Sequence, residues 1–457
     1  MEKYDVVIIG GGIGGLMAAY KLIQKNELKI AIIEKGNSLD SRNCPMITNR
    51  ADKCLKCEPC AVMHGMAGAG AFSDGKFIIT TEYGGWLSDF INSNEAISYM
   101  KCADDILVSF GATEKSFAPN EDLLKLCLAN GLNLKSGIVK HFGTENNIAI
   151  MQRLIDYISD KAEIYCNSTV IDVDKKNNVV KLNNDKEMIA NNIIFAVGRG
   201  GSKFFIEWCK KNEIEVTNNS VDVGVRVELP SVIWKEISNQ VYDPKISYRS
   251  KKYGDNTRMF CFNDGGHVVT ENTNGVLTVN GHAYANEEKK SQNSNFALLS
   301  SINFTLPFDK PMQYIEHIAG VANFIGNGGP VVQRFGDLLN NRRTTELRLK
   351  ESTVRPTLKA SPGDLSLCIP KRQLDNIIET IIALNKIAPG TANYDTLLYG
   401  VECKYYSARP KLNGFELYGC KNMYACGDGA GITRSLAQAA ANGLCIADQI
   451  IEKSNVN

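Results

Sequence analysis

Two rhythms of apolar residues divide this chain. Val6-Val7-Ile8-Ile9 is an unbroken β-branched run, which predicts a strand buried on both faces. It breaks at Gly10-Gly11-Gly12-Ile13-Gly14-Gly15, and Leu16-Met17-Ala18-Ala19-Tyr20-Lys21-Leu22 then reads as a helix. A second apolar run, Leu28 to Ile33, ends at Glu34. From Ser38 to Pro59 the rhythm disappears into a polar loop, and residues 96–140 read as mixed helix. The pattern sharpens again in an amphipathic helix from Ile148 to Ser159. Strands are predicted at Ala162–Asn167, Thr169–Asp174 and Val179–Leu182, and a buried strand at Ile193–Gly198. After about residue 216 a period of two takes over. Val221–Glu228, Met259–Phe262, Gly266–Thr270 and Gly275–Asn280, parted by glycine and asparagine turns, predict an antiparallel meander. Helical stretches with basic turns fill 287–395. The last segment returns to strand, turn and helix: Asn422–Cys426, Gly427–Gly431, and an alanine-rich helix from Ser435 to about Glu452.

Strand–turn–helix alternation at both ends, enclosing an antiparallel middle, predicts an α/β fold. Its Rossmann-like domain is discontinuous, from 1–95, 141–215 and 396–457. A helical insertion is expected at 96–140, and an inserted mixed α+β, largely antiparallel substrate domain at 216–395. A length of 457 residues is ample for more than one core, and a net charge of +1 gives no global attraction to nucleic acid or membrane. No apolar run reaches the roughly 18 to 20 residues that span a bilayer, and the first strand leaves no room for a signal peptide. A cytoplasmic enzyme is expected.

Gly10, Gly12 and Gly15 have the G-x-G-x-x-G spacing, in which glycines permit a tight turn, a close pyrophosphate and close helix packing. Glu34, ending the second strand, stands where a carboxylate accepts hydrogen bonds from a ribose diol. The small-residue stretch Gly65–Lys76 lets backbone approach a ligand, with Ser73 and Asp74 as hydrogen-bonding groups. In the last turn Asp428 suits a hydroxyl, and the following helix start offers positive potential. Of 14 cysteines, four crowd together as Cys44, Cys54, Cys57 and Cys60, a C-x9-C-x2-C-x2-C pattern. Four thiolates satisfy a [4Fe–4S] cluster or a structural zinc; redox-active or merely structural thiols are the alternative.

Taken together, Gly10–Gly15 with Glu34, the strand end Ala196-Val197-Gly198 and the terminal Gly427-Asp428-Gly429-Ala430-Gly431 resemble FAD-dependent oxidoreductases of the glutathione-reductase-type fold. Cys54–Cys60, Gly68–Lys76 and Gly427–Arg434 look more closely like bacterial and archaeal FAD-dependent, or NAD(FAD)-utilising, dehydrogenases. The resemblance implies a Rossmann-like FAD-binding domain. It places FAD contacts at Gly10, Gly12, Gly14, Gly15, Glu34, Lys35, Ser73, Asp74, Val170, Gly198, Gly427, Asp428, Gly431 and Thr433. The clusters Gly198–Gly201 and Gly326–Pro330 are expected to lack the strand–turn–helix frame of a second nucleotide site. Electrons are therefore expected through the cysteine cluster, from or to a protein such as a ferredoxin, with direct nicotinamide binding left open.

The expected reaction moves a hydride and a proton across a C–C or C–N bond of an unsaturated small molecule, at the junction of the two domains. Arg434, Lys404, His282 and His267 are the catalytic candidates, with Tyr405 and Tyr406 beside Lys404. A flavin-dependent RNA-modifying enzyme, using the basic run Lys245, Arg249, Lys251 and Lys252, is one alternative. An electron-transfer or redox-sensing subunit is the other.

Overall fold

The computed structural model describes every residue except 26, 46, 47, 49, 51–54, 56, 74, 274, 275, 285, 286, 305, 306, 309 and 457. The chain forms two compact units. The first comprises Met1–Ser116, Ile138–Asn219 and Tyr406–Asn457; the second comprises Phe117–Gly137 and Ser220–Tyr405.

In the first unit the main strands are β1 (Glu2–Ile9), β2 (Ile30–Ile33), β3 (Lys76–Ile79), β4 (Ile138–His141), β5 (Glu163–Tyr165), β6 (Val170–Asp174), β7 (Val179–Leu182), β8 (Glu187–Phe195) and β9 (Met423–Ala425). Its helices are α1 (Ile13–Leu22), α2 (Ser93–Ser109), α3 (Thr144–Ser159), α4 (Gly198–Lys211) and α5 (Leu436–Val456). The parallel core of the sheet runs β9-β8-β1-β2-β5. Central parallel strands are shielded on both faces, and accordingly Val6, Val7 and Ile8 are fully buried. Each such side chain contributes about 1.5–3 kcal/mol by leaving water. An antiparallel hairpin, β6 and β7, extends the sheet beyond β8. Helices α1 and α5 meet at the backbone: a Cβ on Gly443 would lie 2.0 Å from the Gly14 carbonyl oxygen.

The second unit is an eight-stranded sheet in the order Ser361–Pro362, Val331–Arg334, Leu397–Tyr405, Val221–Pro230, Asn293–Ile302, Asn256–Asn263, Ile246–Arg249, Leu132–Leu134. All pairs are antiparallel except the first. The expected meander is corrected here, because spatial neighbours are seldom sequence neighbours. Among the described residues, His267–Thr273 and Val276–His282 pair only with each other, as a separate hairpin. Val221–Pro230 alternates as expected, yet both its faces are buried. Val221, Val223, Val225 and Val227 enter an apolar core, while Asp222, Arg226 and Glu228 are equally dry. Arg226 donates to Asn295 Oδ1 at 2.8 Å and lies 3.4 Å from Glu402, which holds it protonated against the cost of burial.

Two further expectations change. Residues 96–140 are not a separate helical insertion: α2 belongs to the first unit and 117–137 to the second. Apolar periodicity showed helix there without showing which core the helix joins. Gly198–Gly201 does stand in a strand–turn–helix frame, since β8 runs through Ala196 and Val197 into α4.

Candidate cofactor site

A cleft of about 290 Å3 opens within the first unit where the ends of β1, β2, β8 and β9 converge. Its shape follows from missing side chains. Gly10 has φ +112°, and a Cβ there would come 2.3 Å from the Ala196 carbonyl oxygen; a Cβ on Gly15 would come 2.2 Å from that of Gly10. Gly12 bridges to Ala67, so the loop after β2 lies directly over the glycine turn. Gly12 is also the N-cap of α1 and offers no side-chain cap, and the first turn contains no acidic residue. The first amides of α1 are thus left for an anion.

Glu34 is buried, and its carboxylate organises the cleft floor. Gly11 N–H donates to Oε2, while Gly36 and Gly65 N–H groups donate to Oε1, each at 2.9 Å. A carboxylate has about four acceptor positions, so this set leaves capacity for one hydroxyl, at Oε2. Arg42 fixes the covering loop. Its guanidinium donates to the carbonyls of Ala61, Val62, Met66 and Gly68 at 2.7–2.9 Å, and burial lowers its pKa to about 10.

At the opposite side, β9 turns at Gly427, with φ +77°, into Asp428. Thr433 Oγ1 donates to Asp428 Oδ1 at 2.7 Å, and Asn442 of α5 accepts from Gly427 N–H at 2.8 Å. Burial pushes the Asp428 carboxyl above its ordinary value, opposed by Arg199 and Arg434. Arg434 lines the cleft with its guanidinium 4.0 Å from the centroid of the Tyr406 ring, which packs edge-on against Trp86. Its backbone N–H donates to Gly84 O, tying the 84–90 segment to this loop.

The structure therefore gathers Gly10, Gly12, Gly14, Glu34, Ser73, Gly198, Gly427, Asp428 and Arg434 around one cleft. Gly15 and Thr433 act one step back, through packing and through Asp428. Gly431 closes its turn against the Ser407 carbonyl. Val170 is in the core and Lys35 is exposed; neither lines the cleft. Asp74 lies outside the described residues. The other catalytic candidates belong to the second unit. Lys404 Nζ lies 3.4 Å from Glu402 and 3.8 Å from Glu271, and His267 faces His282 across the hairpin, both against the Tyr284 ring.

Cys44, Cys57 and Cys60 are free thiols and none is buried; Cys54 lies outside the described residues. Among the described residues no group of three or more His, Cys, Asp or Glu is arranged to hold a metal. His64, Arg199 and Asn442 were not anticipated. The glycine-rich stretch beginning at Gly65 marked the neighbourhood of His64, whereas nothing local marks Asn442 as the partner of Gly427. A cradle without Cβ atoms, an uncapped helix start and spare carboxylate capacity fit the phosphates and ribose of a dinucleotide.

Residues 5–43 match the family model of an FAD binding domain, and residues 220–405 match that of the FAD-dependent protein, C-terminal domain-like. The second match coincides with the long segment of the second unit. An uncharacterised protein of Clostridium beijerinckii is 27% identical over 477 residues, spanning 99% of this chain and 81% of the relative. Among solved structures, glycine oxidase from Geobacillus kaustophilus is 12% identical with a TM-score of 0.41, covering 99% of this chain and 95% of that one. L-proline dehydrogenase from P. horikoshii gives 12% and 0.41, covering 99% and 94%. Likeness at that level says nothing about the reaction. The glycine turn and Glu34 both lie inside the segment that matches an FAD binding domain, and the second matched segment is that of an FAD-dependent protein.

Proposed function

We propose that the protein is an FAD-dependent reductase or dehydrogenase acting on a C–C or C–N bond of an unsaturated small molecule. The observation that carries this reading is the convergence of the bare α1 start, Glu34, Asp428 and Arg434 on one cleft. FAD, when bound, supplies the two-electron redox chemistry. The chain's part is to hold and orient. The α1 amides and Gly10–Gly15 turn take the pyrophosphate, Glu34 accepts from the adenosine ribose, and Asp428, aligned by Thr433, accepts from a ribityl hydroxyl. Arg434, its guanidinium backed by Tyr406, clamps a carboxylate or carbonyl of the substrate.

A cluster bound by Cys44, Cys54, Cys57 and Cys60 is the second part of the reading, as a [4Fe–4S] relay to a protein donor such as a ferredoxin, with zinc as the alternative. Its support is the sequence spacing and the unburied free thiols at the three described positions. Nothing specific favours an RNA substrate: Lys245 pairs with Asp243 and Lys252 with Asp375, which draws both cations away from phosphates. Among the described residues no helix is long and apolar enough to cross a membrane.

The absorption spectrum of anaerobically purified protein, with iron, sulfide and zinc assays, tests both parts. Flavin bands with a broad iron–sulfur shoulder are expected. Protein that neither carries nor takes up flavin would remove the FAD reading, and zinc without iron would remove the relay. A flavin reoxidised by protein partners but by no organic acceptor would point instead to an electron-transfer subunit.

A further inference from the structure

We propose that His64 is a cofactor-binding residue whose imidazole donates a hydrogen bond to a pyrophosphate oxygen of FAD, forming a second pole opposite the α1 turn. The inference rests on the FAD reading above. His64 lines the cleft, and both its ring nitrogens are buried with no hydrogen-bond partner among the described residues. Buried polar atoms are ordinarily paired, so an imidazole unmet at both nitrogens on the wall of a ligand cleft points to the ligand as its partner.

The surroundings specify what kind of partner. The imidazole sits against the start of α4: a Cβ on Gly200 would come 2.3 Å from His64 Nε2 and 3.0 Å from Cδ2. That start has no side-chain cap and no acidic residue in its first turn, and it carries Arg199. On the other side the next residue, Gly65, gives its N–H to Glu34. The groups around His64 are therefore mostly donors. Of the two carboxylates that line the cleft among the described residues, Glu34 accepts from three amides and keeps one acceptor position, and Asp428 accepts from Thr433, with Arg199 Nε 4.0 Å from its Oδ2. The acceptor that completes this set is an anion brought by the ligand, and the anionic part of FAD is its pyrophosphate. Rotation about the Cβ–Cγ bond, a broad torsion in histidine, turns a ring nitrogen toward the cleft without moving the backbone.

Binding to flavin-free protein tests this, using FAD by fluorescence quenching and ADP and adenosine by calorimetry. His64→Ala is expected to weaken FAD and ADP about tenfold and leave adenosine unchanged, with His64→Gln recovering part of the loss. Gly200→Ala, which displaces the imidazole, is expected to act like His64→Ala. In the wild type, the His64 ring nitrogens are expected to shift in 15N spectra on adding ADP but not adenosine, a readout that needs no variant to fold. Unchanged ADP affinity, equal loss for adenosine, or an unmoved His64 resonance would overturn the proposal. Wild-type protein that fails to bind FAD would instead sink the parent reading.

Discussion

Glu34 shows how one side chain does two kinds of work. By accepting from Gly11, Gly36 and Gly65 it fastens the glycine turn, its own strand end and the covering loop together, with one acceptor position to spare. Its position at the end of an apolar run marks it in the sequence as a candidate ribose ligand; its three amide partners are not marked there, because two of them come from distant turns. Arg434 has the complementary character of a cation at the rim, held in place by an aromatic face. If it clamps an anionic substrate, benzoate or acetate added to the flavin-loaded protein will perturb the flavin absorption band. Arg434→Met is then expected to weaken that response about tenfold or more, from the loss of one charge-assisted contact, with little change for neutral benzamide. Equal responses in the two proteins would exclude the role.

Among the elements, the pairing of α1 with α5 governs the site most directly. Gly443 approaches Gly14, and Asn442, one residue earlier on α5, holds Gly427. The same helix therefore positions both ends of the cleft. Gly443→Ala introduces a methyl 2.0 Å from a backbone oxygen that no side-chain rotation can relieve. It is expected to cost about 1–3 kcal/mol, read as a lower urea midpoint, and to weaken flavin binding. An unchanged midpoint would mean that the helices part at little cost. The frame of α4 carries a related lesson. The sequence predicts no strand–turn–helix frame at Gly198–Gly201, whose glycines lack the dinucleotide spacing, yet a helix begins there. With Phe205, Trp208 and Cys209 buried in the core, tertiary packing outweighs the poor helix propensity of three glycines.

For the whole molecule, among the described residues one apolar cluster lies in the first unit and two lie in the second, on a chain that twice leaves the first unit and returns to it. The glycine cleft belongs wholly to the first. Ligand that binds only the native state stabilises it by about 2.7 kcal/mol at a hundredfold excess over Kd. FAD is therefore expected to raise the melting of the first unit by about 5–10 °C in calorimetry while leaving a second transition in place. If all melting shifts together, the two units unfold as one cooperative block.

The local pieces were legible in the sequence: β1, the glycine turn and α1, the acidic end of β2, the Asp428 turn and its helix. Each is set by short-range sterics and by the period of apolar residues, which the chain carries wherever it folds. What only tertiary structure decided is which distant groups meet. Nothing local announces that Arg42 binds four carbonyls of the covering loop, that Gly200 makes room for His64, or that Asp222, Arg226 and Glu228 are buried rather than wet. Alternation along a strand tells one face from the other, but what covers each face depends on elements far away in sequence. For that reason the elements that converge on the cleft could be read in advance, and most of the groups that shape it could not.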